Sequence, residues 1–235
     1  YEAEEKITVN GNVDLYAVVF NRTTETDLTE DQLPQVDIYK YKQVIFVGDS
    51  RTEFMENVLT GMGESATKNV KFVCSAGKGL DWFTTTGWAQ LYSIVQHDSN
   101  SILSKKTAVI FNFGVNDLSK SADYAEYYNW IAPQLKSKGC ELYFMSVNPV
   151  NRLMLPNAGR ADRSEAAVRS FNQYMKANLS SAYTYIDMYS YLKSTGYSFA
   201  SDHYGTGTVD DGLHYTTRTY KRIFAKCMDS LRVPA

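Results

Sequence analysis

Long apolar runs, blocks of positive charge and paired cysteines are all missing from this chain, and histidine occurs only three times in 235 residues. No stretch approaches the roughly 20 apolar residues needed to cross a bilayer, so a transmembrane segment is not expected. No cluster of Lys or Arg marks a nucleic-acid groove or an anionic surface. The 24 basic and 26 acidic residues leave a net charge of -2, and nucleic acid is not an expected partner. Cys74, Cys140 and Cys227 are too far apart for a metal knuckle. Their odd number also excludes a closed disulfide framework, which leaves buried free thiols as the expectation. An initiator Met and a signal peptide are lacking as well. The sequence starts Tyr1-Glu2-Ala3-Glu4-Glu5 and is expected to be processed or cut from a longer chain.

What is present is enough for one substantial core, since 44% of the residues are hydrophobic. Eighteen tyrosines supply rigid amphipathic surface suited to flat polar ligands such as sugars. The first 40 residues differ in texture from the rest. "ITVNGNVDLYAVV" alternates apolar and polar residues around Asn10-Gly11, the pattern of a hairpin, and the polar "NRTTETDLTEDQLPQ" that follows reads as a linker. Residues 1–40 are therefore expected to form a β-hairpin and linker, and residues 41–235 the main domain. Val13 to Val18 resembles the closing strand of small repeats in Gram-positive surface proteins, with Val19 where those have Trp. The alternative is a strand that packs on the main domain.

From residue 42 onward, short runs rich in Val, Ile, Phe and Tyr alternate with helical spacings. "QVIFVGD", "VKFVCSA", "AVIFNFG", "CELYFMSV" and "YTYIDMY" read as strands buried on both faces, as in a parallel sheet. Val168, Phe171, Met175 and Leu179 fall on one helix face, and Tyr220, Ile223, Phe224, Cys227, Met228 and Leu231 on another. Pro133 should kink or shorten its helix. Repeated strand-helix units predict a three-layer α/β/α sandwich around a five-stranded parallel sheet, with ligands beyond the carboxyl ends of the strands. The polar residues that follow the first four strands are then the candidates: Asp49-Ser50, Ser75 to Gly79, Asn116-Asp117 and Asn148. Asp211 and His214 lie just ahead of Thr216 or Thr217, either of which could cap the last helix.

A serine nucleophile needs a base within hydrogen-bond reach, and the base needs a third group to fix its tautomer. His97 ends an amphipathic pattern and reads as a solvated residue. His203 sits in a Gly-rich loop with no strand end to place it. His214 has Asp211 three residues before it, within reach of its ring from a tight turn. Competing motifs fail on spacing. Thr52 stands where an α/β-hydrolase elbow needs Gly, and "AGKGLD" lacks the upstream Gly and the following Ser/Thr of a phosphate loop. No two histidines have metal-ligand spacing, so a serine mechanism without metal or cofactor is the expectation.

Gly48-Asp49-Ser50, a glycine after the second strand, Gly114-Val115-Asn116-Asp117 and Asp211-Gly212-Leu213-His214 resemble, in order, the four blocks of the SGNH/GDSL hydrolase superfamily. The resemblance covers about residues 42 to 232 and implies a flavodoxin-like fold. It implies Ser50 as nucleophile, His214 as general base and then acid, and Asp211 as the group orienting the imidazole. The oxyanion hole would comprise the N–H of Ser50, the N–H of Gly79 or Gly77, and the Asn116 amide. Asn can donate where Asp cannot, which favours Asn116 over Asp117. The strand-to-glycine spacing favours Gly79 over Gly77. Two positions depart from the pattern: Cys74 replaces the usual Asn at the second strand's end, and Arg51 replaces the usual Leu. Arg51 is expected either to bind substrate or, more simply, to pair with a surface carboxylate.

Trp82, Phe83, Asn148, Pro149 and Arg152 are candidates to line the substrate pocket, although Trp82 and Phe83 could equally begin a buried helix face. With many aromatics and Asn/Ser/Thr and no long apolar lid, a short acyl ester on carbohydrate is the expected substrate. Activity should rise with pH as His214 loses its proton, near about 6.5 for an unperturbed imidazole. Acyl transfer to a cell-wall sugar by the same triad, and a non-catalytic carbohydrate-binding module, are the alternatives. The N-terminal texture suggests a location outside a Gram-positive-type cell.

Overall fold

The computed structural model describes residues 28–29, 32–34, 40–97, 106–155, 162–201 and 210–231. The expected hairpin and linker of residues 1–40 lie almost wholly outside the described residues, as does His203. Five parallel strands form the central sheet: β1 (Tyr41–Gly48), β2 (Val70–Cys74), β3 (Lys106–Asn112), β4 (Cys140–Met145) and β5 (Tyr183–Ile186). Their spatial order is β2-β1-β3-β4-β5, the doubly wound arrangement. The chain winds outward from β1 in both directions, so the crevice for a ligand opens between the carboxyl ends of β1 and β3.

Alternation along each strand explains why both faces are apolar. Ile45, Val47, Val109 and Phe111 point to one side, onto α4 (Trp88–His97), α5 (Ser121–Ser137) and α6 (Glu165–Asn178). Val44, Phe46, Ala108 and Ile110 point to the other, onto α1 (Ser50–Thr60), α7 (Met188–Thr195) and α8 (Thr217–Ser230). Each Val, Ile and Phe side chain among them contributes about 1.5–3 kcal/mol on leaving water. The two apolar layers thereby hold the rim of the sheet in place. Short helices α2 (Glu64–Thr67) and α3 (Leu80–Trp82) complete the set, and α3 continues through a π-helical turn, Phe83–Gly87, into α4.

Helix starts follow the capping expected of their sequences. Asp49 caps α1 by accepting from the Arg51 N–H, and Thr216, not Thr217, caps α8 by accepting from the Thr219 N–H. Pro133 lies inside α5 and does not shorten it, because the helix runs on to Ser137. "DDGLHY" reads in sequence only as a tight turn, and that turn is present at Gly212, with φ +68, but the segment as a whole is also extended and paired. It forms a strand, β7 (Asp210–Tyr215), paired antiparallel with β6 (Phe199–Ser201). Cys74, Cys140 and Cys227 form no disulfide with one another, and Cys140 and Cys227 are buried while Cys74 is only partly so.

Candidate active site

The carboxyl end of β1 delivers Ser50 as the first residue of α1, and β7 delivers His214 from the far end of the sequence. His214 Nε2 lies 2.9 Å from Ser50 Oγ. Its Nδ1 lies 2.6 Å from Asp211 Oδ2. The other carboxylate oxygen of Asp211 accepts from the N–H groups of Leu213 at 2.8 Å and His214 at 2.6 Å. Burial pushes the Asp211 carboxyl upward, but the His214 ring and these N–H bonds outweigh it, leaving the group below the ordinary carboxylate value. Asp211 therefore stays ionised beside an Nδ1–H, so that in the neutral imidazole Nε2 is the nitrogen with the lone pair and faces the serine.

Local backbone makes this turn possible. Gly212 sits at φ +68, and a Cβ there would lie 2.4 Å from the Asn151 carbonyl oxygen, so only glycine fits between Asp211 and His214. Phe54, one turn along α1 from Ser50, packs edge-on against the His214 ring at 4.5 Å. This contact holds the imidazole from the side its hydrogen bonds leave open.

The loop after β2 approaches the same rim. The Ser75 N–H donates to the Gly48 carbonyl, Ala76 to Glu53 Oε2, Lys78 to the Ser75 carbonyl and Leu80 to Asp117 Oδ2. The N–H groups of Gly77 and Gly79 have no acceptor among the described residues. Gly77 is exposed and Gly79 partly so, which leaves both donors open to water or to a ligand oxygen. A Cβ on Gly79 would fall 2.3 Å from Asp117 Oδ2, which shows how closely Asp117 braces this loop. Tyr124 holds Asp117 in turn through a 2.8 Å bond from its hydroxyl to Oδ1.

Asn116, after β3, is oriented from two sides. Its Oδ1 accepts from Arg163 Nη2 at 3.0 Å, and its Nδ2 donates to the Lys78 carbonyl at 2.8 Å. Arg163 can only donate, so Oδ1 must face it and Nδ2 must face the Gly77–Gly79 loop. One Nδ2 hydrogen remains. Neither Arg163 nor Phe54 was identifiable from sequence as a support of the site. Phe54 carries a faint signal in its i+4 spacing from Ser50, whereas Arg163 carries none.

The remaining candidates differ in burial and in partners. Phe83 is fully buried among Phe111, Phe113 and Tyr128 and so begins a buried helix face, whereas Trp82 packs on Phe113 but stays partly exposed. Arg152 is half exposed and forms a two-bond pair with Asp162 at 2.8 and 2.9 Å. Asn148 is 1% exposed, and neither side-chain polar atom has a hydrogen-bond partner among the described residues. Arg51 corrects both expectations for it. It neither faces solvent nor pairs with a surface carboxylate, but lies buried beneath the loop that follows β4. Among the described residues, no three His, Cys, Asp or Glu side chains cluster as metal ligands, and no helix is long and apolar enough to cross a membrane.

A family model of GDSL-like lipase/acylhydrolase domains matches residues 44–227. No curated protein matches the chain. Solved structures share the fold at low identity. A candidate acylhydrolase of Bacteroides fragilis is 16% identical with a TM-score of 0.51, the match covering 86% of this chain and 92% of that one. A candidate SGNH hydrolase of Slackia heliotrinireducens is 13% identical with a TM-score of 0.52, over 82% and 100% of the two chains. An acetyl xylan esterase is 12% identical with a TM-score of 0.52, over 81% and 100%.

Proposed function

The chain belongs to the GDSL-like lipase/acylhydrolase family and is a serine hydrolase, and on that premise we propose that it cleaves short acyl esters of carbohydrates through an acyl-enzyme on Ser50. The observation that carries this reading is the continuous hydrogen-bonded line from Ser50 Oγ through the His214 ring to Asp211, at 2.9 and 2.6 Å. His214 Nε2 takes the hydroxyl proton as Ser50 Oγ bonds to the ester carbonyl carbon. Asp211 remains ionised and stabilises the imidazolium that forms. The carbonyl oxygen becomes an oxyanion, received by the N–H groups of Ser50 and Gly79 and by the free Nδ2 hydrogen of Asn116, with Gly77 as the alternative backbone donor. Collapse breaks the bond to the alcohol, and His214 returns its proton to that leaving oxygen. Water, activated by the same imidazole, then releases the acid and restores Ser50.

The substrate side of this reading rests on the polar, aromatic-rich composition and the absence of a long apolar lid segment in the sequence. The likeness of Val13 to Val18 to a strand of Gram-positive surface proteins supports a place of action outside a cell of that type. The Ser50→Ala variant should lose p-nitrophenyl acetate turnover and fluorophosphonate labelling together. Normal turnover in that variant would refute the mechanism. An ester panel of increasing acyl length, including acetylated xylan and acetylated peptidoglycan, tests the substrate. Acyl transfer to an added sugar that outpaces hydrolysis would reassign the enzyme as a transferase.

A further inference from the structure

The residue after Ser50 is the one place in its block where the chain departs from the pattern it resembles. Arg51 is 2% exposed. Its Nε donates to the Leu213 carbonyl at 2.9 Å, Nη1 to the Asn148 carbonyl at 2.8 Å and Nη2 to the Pro149 carbonyl at 2.7 Å. The Tyr215 ring lies 5.1 Å from Cζ, and the Tyr215 hydroxyl donates to the same Pro149 carbonyl. Burying a cation is costly unless its donors are satisfied, and an apolar side chain could fill this space without that cost. What an apolar residue could not do is tie three backbone segments together.

The segments are the informative part. Arg51 directly follows Ser50, and Leu213 directly precedes His214. The Nε bond to Leu213 thus closes a ring of two covalent steps and two hydrogen bonds, one of which is the 2.9 Å contact between Ser50 and His214. The other two donors fix this ring to the loop after β4. That loop is itself immobilised: the Val150 N–H donates to Glu165, and Asn172 exchanges two bonds with the backbone of Val147. We propose that Arg51 is a positioning residue, its buried guanidinium holding the Ser50 end of α1 in hydrogen-bonding register with His214 on β7.

This inference rests on Ser50 being the nucleophile, and the test separates the two. Arg51→Met and Arg51→Lys are compared with wild type for kcat and KM on p-nitrophenyl acetate, with each preparation normalised to serine titrated to completion by a fluorophosphonate, and for Tm. In Arg51→Met, kcat per titrated serine should fall on the order of 10²-fold with KM within about threefold, since an ångström of misplacement costs about that much. Arg51→Lys keeps the charge and can reach one carbonyl, so its kcat should lie between the two. A kcat per titrated serine within about threefold of wild type in Arg51→Met, however far Tm falls, would overturn the proposal by showing that Arg51 only packs. If Arg51→Met does not fold, Arg51→Lys decides: a drop in kcat of about tenfold at constant KM supports the clamp, and an unchanged kcat refutes it. Wild-type protein that takes no label refutes Ser50 itself, and the inference falls with it. A labelled wild type with undiminished variants refutes the inference alone.

Discussion

Asp49 offers a perturbation whose size can be worked out from its surroundings. The carboxyl is 1% exposed, and its Oδ1 accepts the Arg51 N–H at 3.0 Å. Burial raises its pKa from the ordinary 3.8 to about 6, and the Arg51 N–H and charge offset only part of that. In the unfolded chain the group ionises near 3.8, whereas the native protein keeps the proton up to about 6. The native state therefore binds more protons in this window. The stability this contributes is complete below the unfolded value and is lost as pH rises through about 6. At 1.36 kcal/mol per unit, an ionised Asp49 costs the fold about 3 kcal/mol at pH 8, and well under about 1 kcal/mol at pH 4. Asn has the same shape, caps a helix about as well and carries no charge. Asp49→Asn should accordingly be more stable than wild type by about 3 kcal/mol at pH 8, with the gain shrinking steadily toward pH 4. Urea unfolding of both proteins at pH 4, 6 and 8 measures this difference directly. A stability difference that does not change with pH would refute the reasoning, since the gain arises only from the raised pKa of Asp49.

The proposed oxyanion donor and its loop can be tested in the same way. Asn116→Asp keeps the shape and the Arg163 contact but removes every Nδ2 hydrogen, so kcat should fall about 10²- to 10³-fold with KM little changed. Its stability should drop by only about 1 kcal/mol, for the lost bond to the Lys78 carbonyl. Steady-state kinetics beside thermal unfolding checks both halves, and a loss in kcat below about tenfold would remove Asn116 from the hole. Gly79→Ala forces a Cβ against Asp117, which cannot yield while it holds the Leu80 N–H and the Tyr124 hydroxyl. We expect a loss of about 1–3 kcal/mol, measured by urea unfolding, and a parallel loss of turnover as the loop moves.

The sheet was readable in sequence because a strand buried on both faces must be apolar almost throughout, and β1, β3 and β4 are. β7 was not readable, because two Asp and a Gly make a poor strand by propensity. Pairing with Phe199–Ser201 supplies what its own residues do not. The π-helical turn at Phe83–Gly87 left no trace either. There Gly87 lets the rings of Trp82 and Phe83 close over the backbone, a packing outcome that no local pattern announces.

Within the site, legibility follows the chemistry of the partner. Ser50, Asp211, His214 and Asn116 could be picked out because the blocks that hold them resemble, in order, the motifs of a known family, and the proposed roles of nucleophile, base, orienter and donor admit few residue types. The supports could not. Arg51 bonds to the carbonyls of Leu213, Asn148 and Pro149, and Arg163 to the carbonyl of Val115. Every residue has a carbonyl, so no spacing or residue type points to such an acceptor, and a charged side chain near a nucleophile is then read as facing substrate or solvent. Arg152 and Asp162, two exposed charges ten residues apart, fit that ordinary reading. Arg51 does not, because the loop after β4 and the turn before His214 aim three carbonyls at one buried point, and only a planar group with divergent donors can satisfy them together.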